Sequence, residues 1–129
     1  MNIPKEIQDF TNDLIDWRQD IHRNPEIGFK ESRTSKFVAE QLKSFGCEVH
    51  TGIGGTGVVG VLRHGQGNRS IGLRADMDAL PIQEENTFDH CSNHNGVMHA
   101  CGHDGHTTML LGAARYLAKK PQFDGIVNF

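Results

Sequence analysis

The sequence predicts a layered α/β fold, a mixed sheet with flanking helices, and three observations carry that prediction. Apolar residues recur every three or four positions in two stretches of the first 45 residues, and again after position 105, which is the helical period. Short runs rich in Val and Ile lie between these stretches and at the end of the chain, and they read as strands. Gly- and Pro-bearing breaks separate the two kinds of segment. The predicted order is α-α-β-β-β-loop-α-β, with no internal repeat, and it implies a mixed sheet.

The elements follow in order. Ile7, Phe10, Leu14, Trp17 and Ile21 form one stripe, so a helix is predicted over 4–23, stopped by Asn24-Pro25. A second helix is predicted over 30–45, with Phe37, Val38, Leu42 and Phe45 on one face and Gly46 past its end. Residues 47–50, 57–62 and 70–74 read as extended, with a turn over 64–69. Residues 82–103 are polar and lack a period. A third helix is predicted over about 105–119, with Met109, Leu110, Ala113 and Leu117 inward and Asp104 as N-cap. Residues 125–129 begin another strand. A strand entering at the last residue predicts that the chain is part of something longer.

Composition narrows the function. The chain has 129 residues, one domain by length, with 36% hydrophobic and 22% charged residues. The net charge of −3 argues against binding a nucleic-acid backbone, which calls for a basic surface. No apolar run approaches a transmembrane span, and the N-terminus lacks a signal-peptide layout, so the expected location is cytoplasmic, with no membrane partner. Three cysteines, an odd number, fit a reducing compartment better than a disulfide framework.

Three motifs bear on chemistry. Gly52-Ile-Gly54-Gly55-Thr-Gly57 matches a dinucleotide-binding pattern, but strand-forming residues follow where a helix should start, so it reads as a turn between strands. Asp76 and Asp78 follow a strand that ends at Arg74. Acids at that edge suit a metal or ligand site, and they equally suit a solvated turn before Pro81. Most of the eight His lie between 90 and 106. Within that stretch, Cys101 and His103 stand two apart across a glycine at a loop-to-helix junction, flanked by His99, Asp104 and His106. Thiolate and imidazole are preferred ligands of zinc and similar ions, so this cluster is the leading candidate metal site. Cys91 with His94 offers a rival, a Cys₂His₂ structural site with Cys101 and His103, and an exposed loop is the plainer reading of 90–94.

Three stretches, Trp17-Arg-Gln-Asp-Ile-His-Arg-Asn-Pro-Glu26, Arg74-Ala-Asp-Met-Asp-Ala-Leu-Pro81 and Gly96-Val-Met-His-Ala-Cys-Gly-His-Asp-Gly-His106, resemble the aminoacylase, hippurate hydrolase and indole-acetyl-amino-acid hydrolase group of amidohydrolases. That group is a branch of the dinuclear metallopeptidase superfamily. The resemblance runs in order along nearly the whole chain. It implies that residues 1–129 are the N-terminal part of a metallohydrolase catalytic domain, with the remainder and the dimerisation or lid domain absent.

The resemblance also implies roles. Cys101 and His103 match ligands of a two-metal site, with Mn²⁺ or Zn²⁺ the expected ions. Asp78 matches an acid that orients a ligating His without binding metal itself. The superfamily has His where Asp76 stands, so no role carries over to Asp76. Asp104 and His106 fall near the site with no role assigned. The general-base Glu, from a Glu-Glu pair, comes later in such proteins. Glu84 and Glu85 precede the Cys-Gly-His run and cannot be that pair. The implied reaction is hydrolysis of the amide of a small N-acyl amino acid. A chain holding two ligands and no base is expected to be inactive or weakly active, and to associate with itself through uncovered edges. A stand-alone structural zinc-binding or interaction module is the alternative.

Overall fold

The computed structural model describes residues 3–129. It is a mixed α/β layer, as the sequence predicts. The helices are α1 (Lys5–Gln8), α2 (Thr11–Arg23), α3 (Ser32–Ser44) and α4 (His103–Lys119), and the strands are β1 (Glu48–Ile53), β2 (Gly57–His64), β3 (Ser70–Gly72) and β4 (Gly125–Asn128). They form one four-stranded sheet in the order β1-β2-β4-β3. β1/β2 and β2/β4 are antiparallel and β3/β4 is parallel.

The expected first helix is two helices. The chain breaks at Phe10, whose ψ of 23° and φ of −123° leave the helical region. Phe10 is 4% exposed, and the guanidinium of Arg115 lies 4.5 Å from its ring centroid. Burying the ring against α4 outweighs helix continuity. α2 then ends at Asn24-Pro25 as the sequence predicts. The glycine-rich stretch is the β1–β2 turn, with Gly52, Gly54 and Gly55 at positive φ, and no helix follows it.

The third predicted helix exists, but its start differs, and its face agrees only in part: Leu110 and Leu117 pack half-buried against the core as expected. It begins at His103, with Gly102 at φ 86° as N-cap, so Asp104 lies in the first turn. The buried stripe is Asp104, Thr107, Thr108, Leu111, Gly112 and Ala114, while Met109 is 63% exposed. Met109-Leu-Leu111 offers two possible stripes, and packing between α2 and the sheet selects the one that carries the polar Thr pair. β3 is also shorter than predicted, ending at Gly72.

The core joins Val38 and Leu42 of α3, Cys47, Leu111 and Ala114 of α4, and Val127 and Phe129. Trp17 of α2 packs edge-on to Phe37, with ring centroids 6.2 Å apart. Each large apolar side chain buried this way contributes about 1.5–3 kcal/mol. Two isolated bridges bring the polar segment to the sheet's end. Ile27 pairs with Ala79, and Leu80 with Met98. Among the described residues, no helix is long and apolar enough to cross a membrane.

Candidate metal centre

Left-handed Gly102 turns the loop into α4 and sets His103 at the helix start. His103 Nδ1 lies 2.9 Å from Asp78 Oδ1 and 3.0 Å from the Asp78 carbonyl oxygen. Both partners are acceptors, so Nδ1 carries the hydrogen and Nε2 keeps its lone pair. Backbone pairing fixes Asp78 in turn, because Ala79 N–H donates to the Glu26 carbonyl at 2.8 Å. A carboxylate that orients an imidazole and leaves its other nitrogen free is the arrangement seen around metal-bound histidines.

Asp76 sits in the same extended stretch. Its carboxylate pairs with Arg74, and its carbonyl accepts the Thr107 hydroxyl at 2.9 Å. Because β3 stops at Gly72, the two acids follow an extended segment rather than a strand that ends at Arg74. Asp76, Asp78 and His103 line one cleft of about 910 Å³, whose walls also include Val58, Leu73 and Phe129.

Cys101 is exposed and its thiol is free, as are those of Cys47 and Cys91. His106 is exposed, with its ring 5.6 Å from that of His103. Among the described residues, no three His, Cys, Asp or Glu side chains gather closely enough to hold a metal ion. The Cys91, His94, Cys101 and His103 set therefore does not assemble. His94 is exposed, in a turn fixed by Ser92. His99 is 4% exposed, and neither ring nitrogen has a hydrogen-bond partner. Burial pushes its imidazole below the ordinary value, which favours the neutral ring.

Behind His103 lies a buried polar chain that the sequence reading did not assemble. His22 Nδ1 lies 2.8 Å from Asp104 Oδ2, and His22 Nε2 lies 3.1 Å from Glu84 Oε1. Arg18 Nε donates to the same Asp104 oxygen at 3.0 Å. Glu84 also accepts from Asn86 Nδ2 at 2.9 Å and from Ser92 N–H at 2.6 Å. Burial pushes both carboxyls up. Hydrogen bonds from Asn86, Ser92 and His22 outweigh it at Glu84, and at Asp104 the His22 and Gly105 bonds and the Arg18 charge do so. Both carboxyls therefore lie below their ordinary range. The signal in the sequence was Arg18 and His22 at i and i+4, a polar pair on one helical face beside the apolar stripe.

Residues 72–129 match the model of peptidase family M20/M25/M40. The chain is 55% identical to the hippurate hydrolase of Campylobacter jejuni over 99% of its own length and 33% of that protein's. It is 48% identical to the N-acyl-L-amino acid amidohydrolase of Geobacillus stearothermophilus, over 91% of the chain and 32% of the relative. The crystal structure of the Bacillus subtilis YXEP protein, described as a dinuclear metal-binding peptidase of the M20 family, superposes with a TM-score of 0.88 at 36% identity. That match covers 95% of this chain and 35% of the other. The chain thus spans about a third of the length of the curated relatives it matches. In sequence and in fold, the chain is thus similar to about a third of each of these proteins, and residues 72–129 carry the match to peptidase family M20/M25/M40.

Proposed function

We propose that the chain forms the N-terminal part of the catalytic domain of a metal-dependent amidohydrolase that cleaves N-acyl amino acids, and that it contributes Cys101 and His103 as ligands to a two-ion centre. The observation that carries this reading is the Asp78–His103 contact, which leaves His103 Nε2 free at the start of α4. An exposed thiol two residues earlier adds a second donor of the right softness. Two bound divalent ions supply Lewis acidity toward the scissile carbonyl and an activated water. This chain's part is to hold ligands and orient them. Asp78 fixes the tautomer and the ring plane of His103. Glu84 is committed to His22 and is not free to act as a base. General-base catalysis alone contributes roughly 10²–10⁴-fold, so hydrolysis of N-benzoylglycine by the chain alone is expected to be far slower than by the relatives.

Two measurements test the reading. Titration with Co²⁺ should give a thiolate charge-transfer band that Cys101→Ser abolishes, and Asp78→Ala should weaken binding about 10–100-fold. An unchanged band in Cys101→Ser would remove Cys101 from the centre. Rapid N-benzoylglycine turnover by the chain, lost in Cys101→Ala, would show that it assembles a complete site without further ligands or base.

A further inference from the structure

We propose that His22 is a positioning residue for the candidate centre, clamping the first turn of α4 and so fixing where His103 presents its free nitrogen. The inference rests on the metal-binding reading of His103.

His22 is 3% exposed and lies between two buried carboxylates. Its Nδ1 faces Asp104 at 2.8 Å and its Nε2 faces Glu84 at 3.1 Å, so the one ring bridges two carboxyl groups, an arrangement in which both nitrogens can donate. Arg18, Asp104, His22 and Glu84 thus form one continuous chain of polar contacts, and both buried carboxyl groups have a partner in it. The two ends of the ring hold different parts of the molecule. Nδ1 reaches α4 through Asp104. Nε2 reaches the 84–92 segment through Glu84, which itself holds the Ser92 backbone. The rings of Phe88 and His90 lie beside His22, with centroids 5.9 and 5.8 Å away in tilted and edge-on contact.

The consequence for His103 follows from helix geometry. His103 and Asp104 are adjacent in the first turn of α4, so their side chains leave the helix about 100° apart. Asp78 holds one of them and His22 with Arg18 holds the other. Rotation of that turn breaks one set of contacts or the other. Asp78 alone sets the ring's tautomer, and both sets together fix the helix start that carries it. Carboxamide side chains such as Asn or Gln cannot donate in two opposite directions, so no neutral substitute restores both bonds.

The experiment uses the full chain, Co²⁺ as probe and ¹⁵N-labelled histidine. In the wild type, one buried ring should show two slowly exchanging N–H protons, the signature of the doubly donating His22. The His103 Nδ1–H should also exchange slowly. His22→Gln should keep its circular dichroism and the Cys101 charge-transfer band. It should bind Co²⁺ about 10–100-fold more weakly and lose slow exchange at His103 Nδ1. Equal Co²⁺ affinity in folded His22→Gln, or a single ring proton on wild-type His22, overturns the proposal. Should His22→Gln fail to fold, Glu84→Gln, which keeps an acceptor and removes the charge, takes its place with the same two readouts. An unchanged Co²⁺ affinity and unchanged His103 exchange in that variant overturn the proposal as well. Failure of the wild type to bind Co²⁺ is a different result, because it overturns the metal-binding reading itself.

Discussion

At the scale of single residues, carboxylates do the organising, and Glu26 shows how. α3 has no side-chain cap of its own, because Glu31 at its N-cap makes no capping bond. Glu26 supplies one from outside the helix, accepting from Arg33 N–H at 3.0 Å, Thr34 N–H at 2.8 Å and the Thr34 hydroxyl at 2.9 Å. Burial pushes this carboxyl up, but these bonds outweigh it and hold it below the ordinary value. The native state therefore binds fewer protons than the unfolded chain in the acid range. The stabilisation is complete above the ordinary Glu value of about 4.3 and is lost as pH falls through it toward the lower folded value. Glu26→Gln should cost about 1 kcal/mol at pH 7, the usual worth of a cap. The gap should narrow below about pH 4. Urea unfolding of both proteins at pH 7 and pH 3.5 measures it. A gap of the same size at both values would show that the charge is not its source.

At the scale of elements, close approach decides where helices sit. A Cβ on Gly112 would lie 3.1 Å from Leu14 Cδ2, so the missing side chain lets α2 and α4 pack tightly. Gly112→Val should destabilise the chain by about 1–3 kcal/mol through overpacking, despite the better helix propensity of Val over Gly. Thermal unfolding followed at 222 nm checks this, and a variant at least as stable as the wild type would show that α2 can withdraw freely. The same contact explains what could be read in the sequence. Periodic apolar stripes placed α2 and α3 within two residues at their far ends, and Asn24-Pro25 marked the first stop. The burial of Thr107 and Thr108 could not be read, because a local pattern ranks Met109 above threonine for the interior. Only the presence of α2 on one side and the sheet on the other sets the true face. The candidate site divides in the same way. Cys101 and His103 stood out by residue type and spacing, whereas the part expected of Asp78 came from the family resemblance. His22 and Glu84 belong to segments 62 positions apart, and nothing local signals that they meet.

At the scale of the whole molecule, β2 and the residues that follow β3 both line the cleft beside the candidate centre. Gly60 and Phe129 exchange both backbone bonds, at 2.9 and 2.8 Å, and Leu73 N–H reaches the Asn128 carbonyl at 2.8 Å. Val58 of β2 and the segment from Leu73 to Asp76 are among the residues that line the cleft. Antiparallel alternation fixes which groups are affected. Because Gly60 turns its N–H toward β4, Val58 and Leu62 turn theirs the same way, and Val59 and Val61 turn theirs toward β1. Leu62 meets Val127 in the ladder, whereas Val58 has no β4 partner among the described residues. Native-state hydrogen exchange should therefore find Val58 at least about tenfold faster than Gly60 and Leu62, although all three lie in one strand. Exposed Leu73 and Ile53 line the same cleft, at 36% and 55% exposure, so a second copy has apolar surface to cover there. Val58 protection that rises with protein concentration would show that copies pair through this edge. Val58 as slow as Gly60 at the lowest measurable concentration would show that β2 is protected along its full length within one chain, beyond its pairing with β4.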